Sequence, residues 1–423
     1  MSEQPGAATA DVIVLGAGMA GLVAATRLAE AGLRVVTVAK GYGSLRLAPA
    51  TIDILGYGPE PVDSPAQALA GFAAAHPEHP YALISQVMLA DSVQWLKEHV
   101  GIYAYVGDPS TNMLLPTAIG VPRPSAVVPE TMAGGDVRRL RSVLIAGFGV
   151  LKDFHPALAA ENLHAAAYAL EARPVLLNAS VDGQADVGAL ALARRFEDAE
   201  FRGAVAAELR AAVRGEEAIG LPAVLGVDQA RSVWTELQQA VGRPVFEIPT
   251  AVPTSVPGMR LDRELAGRLR RAGGRLVLGA EATGPELRNG RLAGVRIRSA
   301  PRVTTRACRW VVLATGGLAS GGIEVDVSGA VSERALGLPV HAPGPGETRF
   351  GPSYFGDHPM ETAGLRVDGS LRPVGPDGEP VYTNVYAAGA VIGGARPWRE
   401  KSGDGISLST GYLAAEAILK EAG

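Results

Sequence analysis

Residues 11–39 read DVIVLGAGMAGLVAATRLAEAGLRVVTVA, and this stretch decides the fold. An apolar run at 12–15 enters Gly16-Ala17-Gly18-Met19-Ala20-Gly21 directly. A segment of helical composition follows at 22–31, Gly32 ends it, and a second β-branched run occupies 35–38. Strand, glycine turn, helix and strand in one short stretch make a complete βαβ unit. In that setting G-x-G-x-x-G becomes a dinucleotide-binding signature and not merely a glycine-rich turn. Gly16 allows the tight turn, Gly18 lets the backbone approach a pyrophosphate, and Gly21 lets helix and strand pack closely. The helix start supplies free N–H groups and the positive end of a dipole to the phosphates. Gly16, Ala17, Gly18, Met19, Ala20 and Gly21 are therefore expected to form a cofactor cradle.

The bulk properties narrow the class. The chain has 423 residues, 47% of them hydrophobic and 19% charged, which suits two folded domains sharing a large core. A net charge of -4 argues against a nucleic-acid binder driven by phosphate contacts. The single cysteine, Cys308, excludes an intrachain disulfide and a four-cysteine iron–sulfur cluster. It precedes an apolar run at 310–314 and reads as a structural thiol. No metal site is expected. The first ten residues lack the basic patch and apolar core of a signal peptide. The longest apolar segment, 12–25, is broken by glycines and falls short of the ~20 residues that span a bilayer. The expectation is a cytoplasmic protein, with attachment to the inner membrane through a partner left open.

Two further junctions repeat the opening pattern. Trp310-Val311-Val312-Leu313-Ala314-Thr315-Gly316-Gly317 is a buried strand running into glycines, and so is Val385-Tyr386-Ala387-Ala388-Gly389-Ala390. Gly403 to Gly405 then open a helix at 406–419. Between them, 261–272 has helical spacing, 276–278, 292–298 and 302–305 have strand spacing, and Asn289-Gly290 is a hairpin turn. Residues 66–247 read mostly as helices, at 66–75, 89–99 and 186–217, followed by a proline-rich connector at 247–258. The predicted fold is α/β: a Rossmann-like, discontinuous FAD/NAD(P)-binding flavoprotein domain from residues 11–65, 258–325 and 380–423. A mainly helical cap, 66–257, is inserted, and 326–379 connects near the flavin.

Three strand-to-glycine junctions on one chain resemble flavoproteins of the two-dinucleotide-binding type. That resemblance implies a bound flavin contacted by the first loop, by Lys40, Gly41 and Ser44, by Ala314, Thr315 and Gly316, by Gly389 and Ala390, and by Gly405, Ile406 and Ser407. Two positions depart from the pattern. The acid expected at the end of the second strand, which binds the adenosine ribose, is Ala39, followed by Lys40. The acid expected after the last glycine is Ala390. The cofactor is accordingly FMN, or FAD held by backbone groups. Lys40 meets a phosphate or is an ordinary exposed lysine.

A closer resemblance covers about 11–423. Val38 to Leu55, VAKGYGSLRLAPATIDIL, is similar to the corresponding loop in the B subunit of anaerobic glycerol-3-phosphate dehydrogenase. So are Asp153-Phe154-His155-Pro156, Phe246-Glu247-Ile248-Pro249-Thr250, Ser255-Val256-Pro257-Gly258-Met259-Arg260-Leu261 and Gly389-Ala390-Val391-Ile392-Gly393-Gly394 to other stretches of that family. The resemblance implies a flavin-containing dehydrogenase subunit that oxidises sn-glycerol 3-phosphate to dihydroxyacetone phosphate. Its partners would be a second flavoprotein subunit and an iron–sulfur, membrane-associated subunit that passes electrons to quinone. Such chemistry needs a base and cations for the phosphate. His155, His341 and His358 are the candidate bases, and Arg46, Arg260, Arg349, Arg396 and Arg399 the candidate cations. His358, Arg260 and Arg396 are put forward as the catalytic candidates. A self-sufficient FAD oxidoreductase of the fumarate reductase or amino-acid oxidase type, and a non-catalytic electron-relay or scaffold subunit, are the alternatives.

Overall fold

Five short parallel strands form the central sheet of the computed structural model, which describes residues 10–166, 168–250, 254–344 and 346–423. They are β1 (Val12–Leu15), β2 (Val35–Ala39), β3 (Arg275–Leu278), β4 (Trp310–Leu313) and β5 (Val385–Ala387), in the order β3-β2-β1-β4-β5. Every residue of β1, β2, β4 and β5 is buried. Continuous apolar runs of this kind suit a parallel sheet covered on both faces. Each fully buried Val, Ile or Leu of β1 stabilises the sheet by about 1.5–3 kcal/mol. In register, Leu15 stands beside Val38 and Leu313, so the three strands end at one level. Their glycine turns therefore open at one edge of the sheet.

Helices α1 (Met19–Glu30), α2 (Val256–Arg271) and α3 (Gly403–Ala422) pack around this sheet. α1 and α3 touch backbone to backbone: a side chain at Gly411 would overlap the Ala20 carbonyl. The α2 start is set by Ser255, whose Oγ accepts from the Gly258 N–H at 3.3 Å, and by Pro257 in the first turn, both standard helix-initiating signals. The stretch expected as a connector thus divides in two. Glu247 and Ile248 end a strand, and Ser255 to Gly258 already belong to a helix and its cap; 251–253 lie outside the described residues. The strands at 280–288, 291–299 and 302–307 form an antiparallel sheet. Asn289 and Gly290 both take positive φ at its first turn, the conformation an Asn-Gly hairpin demands.

The insert holds more helix than strand, but a second parallel sheet organises it. Val245–Ile248, Ala218–Pro222, Ser142–Phe148 and Glu171–Leu177 lie in that order. These strands escape the sequence patterns because Ala- and Leu-rich helices surround short apolar runs whose periodicity does not separate helix from strand. The helix expected over 186–217 is two, Ala189–Arg195 and Ala199–Ala212, and Asp198 caps the second by accepting from the Glu200 N–H at 2.9 Å.

Candidate active site: a glycine cradle and the cavity beside it

The glycine loop is pressed against the β4 junction. Gly16 takes φ +116°, and a side chain there would overlap the Ala314 carbonyl oxygen. Gly21 in turn fits under the Gly16 carbonyl, whereas the space in front of Gly18 is open. Gly43 approaches Gly18 from the other side, where a Cβ would lie 3.1 Å from the Gly18 Cα. The start of α1 carries no side-chain cap and no acidic residue in its first turn. Its N–H groups and dipole are thus available to an anion. Thr315 stands beside Gly16 with a buried hydroxyl that lacks a partner. An unlined space before Gly18, an uncapped helix start and an orphan hydroxyl are what a phosphate-bearing cofactor would complete, so these residues fit a flavin nucleotide.

The other expected contacts converge on the same edge. Gly389 lies against Ala20, and its N–H donates to Thr410 Oγ1 at 2.8 Å. Gly317 lies against the Ala390 carbonyl. Gly405 is wedged beneath the Tyr81 hydroxyl oxygen and its N–H donates to the Asp53 carbonyl at 2.9 Å, so only glycine fits there. A cavity of about 560 Å³ opens at this point, and Ser44, Ala390, Ile406 and Ser407 line it with Gly317 to Ser320 and Gly403. The expected nucleotide-end contacts lie apart from it. Ala39 is buried, Gly41 is exposed, and Lys40 pairs with Glu281 at 3.0 Å. Glu281 also meets Arg298 at 3.2 Å, and the hydrogen bond from Lys40 holds the Glu281 carboxyl below the usual range.

The three catalytic candidates separate. Arg260 does not reach the cavity. It is 1% exposed and forms a two-bond pair with Glu247 (2.7 and 2.9 Å), and its Nε and Nη2 donate to the Gly226 carbonyl. His358 does not line the cavity either. Its Nδ1 accepts from the Gly351 N–H and its Nε2 faces the Tyr354 carbonyl, both at 3.0 Å, so its own loop occupies both ring nitrogens. Arg396 stands at the cavity rim between the lining residues Ala395 and Pro397, paired with Asp357 at 3.2 Å. Among the other histidines and arginines, His155 is exposed and His341 faces Glu78 and Arg366. Arg46 pairs with Asp262 at 2.6 Å. Arg399 pairs with Glu361 at 3.2 Å and lies over the Trp398 ring. Cys308 is a half-buried thiol, pushed up to about 12 by burial.

The cavity wall also carries a polar group absent from the sequence-based candidates. Asp53 is 3% exposed and pairs with Arg123, with Thr51 Oγ1 donating to it at 3.0 Å and Ser125 also donating. Lys401 and Asp404 line the same wall. Burial lowers the Lys401 amine, with the Arg123 charge acting the same way. Beneath them His79 meets Glu400 at 3.1 Å. Burial alone would raise Glu400, but the bonds from His79, Ser402 and the Arg396 N–H outweigh it and hold the carboxyl below its ordinary value. Asp53 lies in a loop, Arg123 in a short strand and Asp404 at a helix start, each unremarkable in its own stretch, and only the fold brings 53, 123 and 404 together. The one sequence signal is the position of Asp404 between the two glycines that open α3.

The FAD binding domain family matches residues 11–406. A Halobacterium salinarum protein, named as the probable B subunit of an anaerobic glycerol-3-phosphate dehydrogenase, is 33% identical over 97% of this chain and 99% of its own length. The B subunit of the Pectobacterium atrosepticum anaerobic glycerol-3-phosphate dehydrogenase is also 33% identical, with the same coverage. Among solved structures, an open flavocytochrome c3 fumarate reductase aligns over 98% of this chain and 79% of its own at 12% identity and a TM-score of 0.48. The chain is a flavin-binding oxidoreductase of the FAD binding domain family, and within it belongs to the family of anaerobic glycerol-3-phosphate dehydrogenase B subunits.

Proposed function

We propose that this chain oxidises sn-glycerol 3-phosphate to dihydroxyacetone phosphate as one component of a multisubunit dehydrogenase. The electron pair then leaves through partner subunits toward quinone. The observation that carries the reading is a cavity in which the turns after β4 and β5 and the start of α3 meet the Arg123, Lys401 and Asp404 wall. The names of the relatives support the substrate and the existence of partners. A bound flavin supplies the two-electron acceptor.

The chain's own residues do the rest. Gly16 to Gly21 and the start of α1 hold the cofactor phosphate, with Thr315 completing the cradle. The N-terminus of α3 faces the cavity through Gly403, Ile406 and Ser407, and its dipole favours negative charge developing there. Arg123 and Lys401 offer cationic surface to a phosphate ester. Ala39, with the Lys40–Glu281 pair beside it, leaves no free carboxylate for a ribose. This favours FMN, or FAD whose adenosine is held by backbone groups. The partners that fit the resemblance are a second flavoprotein subunit and an iron–sulfur subunit at the membrane. No helix of the described residues is long and apolar enough to cross a bilayer.

The test is anaerobic mixing of the assembled complex with sn-glycerol 3-phosphate while the flavin of this chain is followed by its absorbance. Bleaching at the rate of turnover supports the reading. A flavin that stays oxidised while the complex turns over would assign the chemistry to a partner.

A further inference from the structure

One carboxyl in the cavity wall has no structural duty. Asp53 is fully engaged: buried, paired with Arg123 and bonded by Thr51 and Ser125. Arg123 comes from the strand Pro122–Ser125 of the insert and also donates to Thr51 Oγ1 at 3.2 Å. Asp404 stands in the first turn of α3, lines the cavity and keeps part of its surface open to it. Among the described residues no group hydrogen-bonds its carboxylate. The charged and titratable groups around it are Asp53 and Arg123 across the wall, Lys401 before the helix, Tyr81, which packs on Gly405 and donates to the Ile54 carbonyl at 2.6 Å, and the buried Tyr105, which donates to the Ala50 carbonyl at 2.7 Å.

We propose that Asp404 accepts the hydroxyl proton when an alcohol substrate is oxidised in this cavity. The inference rests on the function proposed above. In the step the substrate O–H bond breaks and its proton passes to an Asp404 carboxylate oxygen. The C–H bond of the same carbon breaks as hydride leaves for the flavin, the two-electron acceptor, and a C=O bond forms. The proton then departs to solvent. Asp53 cannot take this role because its oxygens are occupied, and the Lys401 ammonium donates to the Trp398 carbonyl at 2.7 Å. The surroundings suit a proton acceptor. Burial first, and then the Asp53 carboxylate, push Asp404 up to about 7, with Arg123 opposing. A base poised near the working pH transfers protons most effectively.

The experiment compares the wild-type complex with Asp404→Asn and Asp404→Glu. It reads flavin content, the rate of flavin reduction by sn-glycerol 3-phosphate between about pH 5 and 9, and the carboxylic-acid infrared band of the flavin-free chain over the same range. Asn is expected to keep the flavin, slow reduction about 100-fold or more, flatten the rise in rate near neutral pH and remove an infrared band that titrates there. Glu is expected to keep a titrating limb at a shifted position. Reduction within about threefold of wild type, or an Asn variant that retains both the pH limb and the infrared band, overturns the inference. A wild-type flavin that the substrate does not reduce overturns the functional reading, and this inference with it.

Discussion

Replacing Asp404 by Asn should make the flavin-free protein more stable, and only above a certain pH. The folded carboxyl titrates near 7 against an ordinary value of 3.8, because burial and Asp53 disfavour its charge more than Arg123 favours it. A raised carboxyl is a cost to folding once pH exceeds the unfolded value. Between about pH 4 and 7 the native state binds the proton more tightly than the unfolded chain, so stability falls as pH rises, and above about 7 the penalty is complete. Three pH units at 1.36 kcal/mol each set a ceiling of about 4 kcal/mol. The partial exposure of Asp404 to the cavity and its coupling to Asp53 bring the expected gain to about 1–3 kcal/mol. Asn keeps the shape and removes the charge. Urea unfolding of both proteins without flavin at about pH 4.5, 6, 7 and 8.5 should give curves that nearly coincide at the lowest pH and diverge steadily to the highest. A pH-independent difference, or an Asn variant less stable than wild type at the highest pH, would refute the assignment of a strained carboxyl to this wall.

Other outcomes follow from the packing. Gly16→Ala forces a Cβ into the Ala314 carbonyl at φ +116° and should abolish flavin retention while lowering the melting temperature, read by flavin content and calorimetry. Arg260→Met leaves Glu247 buried without its cation and should cost about 3–5 kcal/mol in urea unfolding, with turnover per folded molecule preserved. The Cys308 thiol, raised by burial to about 12, should resist a disulfide reagent at neutral pH and react fully once the chain is unfolded. Gly290→Ala, at φ +75° in the hairpin, should destabilise by about 1 kcal/mol with no change in flavin content.

The nucleotide half of the molecule was legible because its signals are local. Val12 to Leu15, the glycines after it and the strands entering Ala314-Thr315-Gly316 and Ala388-Gly389 each carry their structure in adjacent residues, since a buried parallel strand needs an unbroken apolar run. The second sheet was not legible. Ser142–Phe148 and Ala218–Pro222 are apolar runs of ambiguous period between strong helices, and pairing of strands so distant in sequence leaves no local trace. Part of the site was hidden for the same reason. Asp53, Arg123 and Asp404 acquire meaning only when the Pro122–Ser125 strand of the insert is folded back over the start of α3. Arg260 shows the opposite case. An arginine in a distinctive motif invited a phosphate-binding role, and the structure pairs it with Glu247, thirteen residues earlier, inside the protein core. Buried arginines meet carboxylates because an unpaired charge there would be prohibitive.

The proposed oxidation requires a flavin in the cradle between Gly16 and Gly405 of this chain. Acid release of the cofactor from the purified chain, with identification and quantitation of the flavin, tests it most directly. The expected result is about one flavin per chain, FMN or FAD, lost in Gly16→Ala. A wild-type chain that carries no flavin, and takes up none when either is supplied in excess, would contradict it.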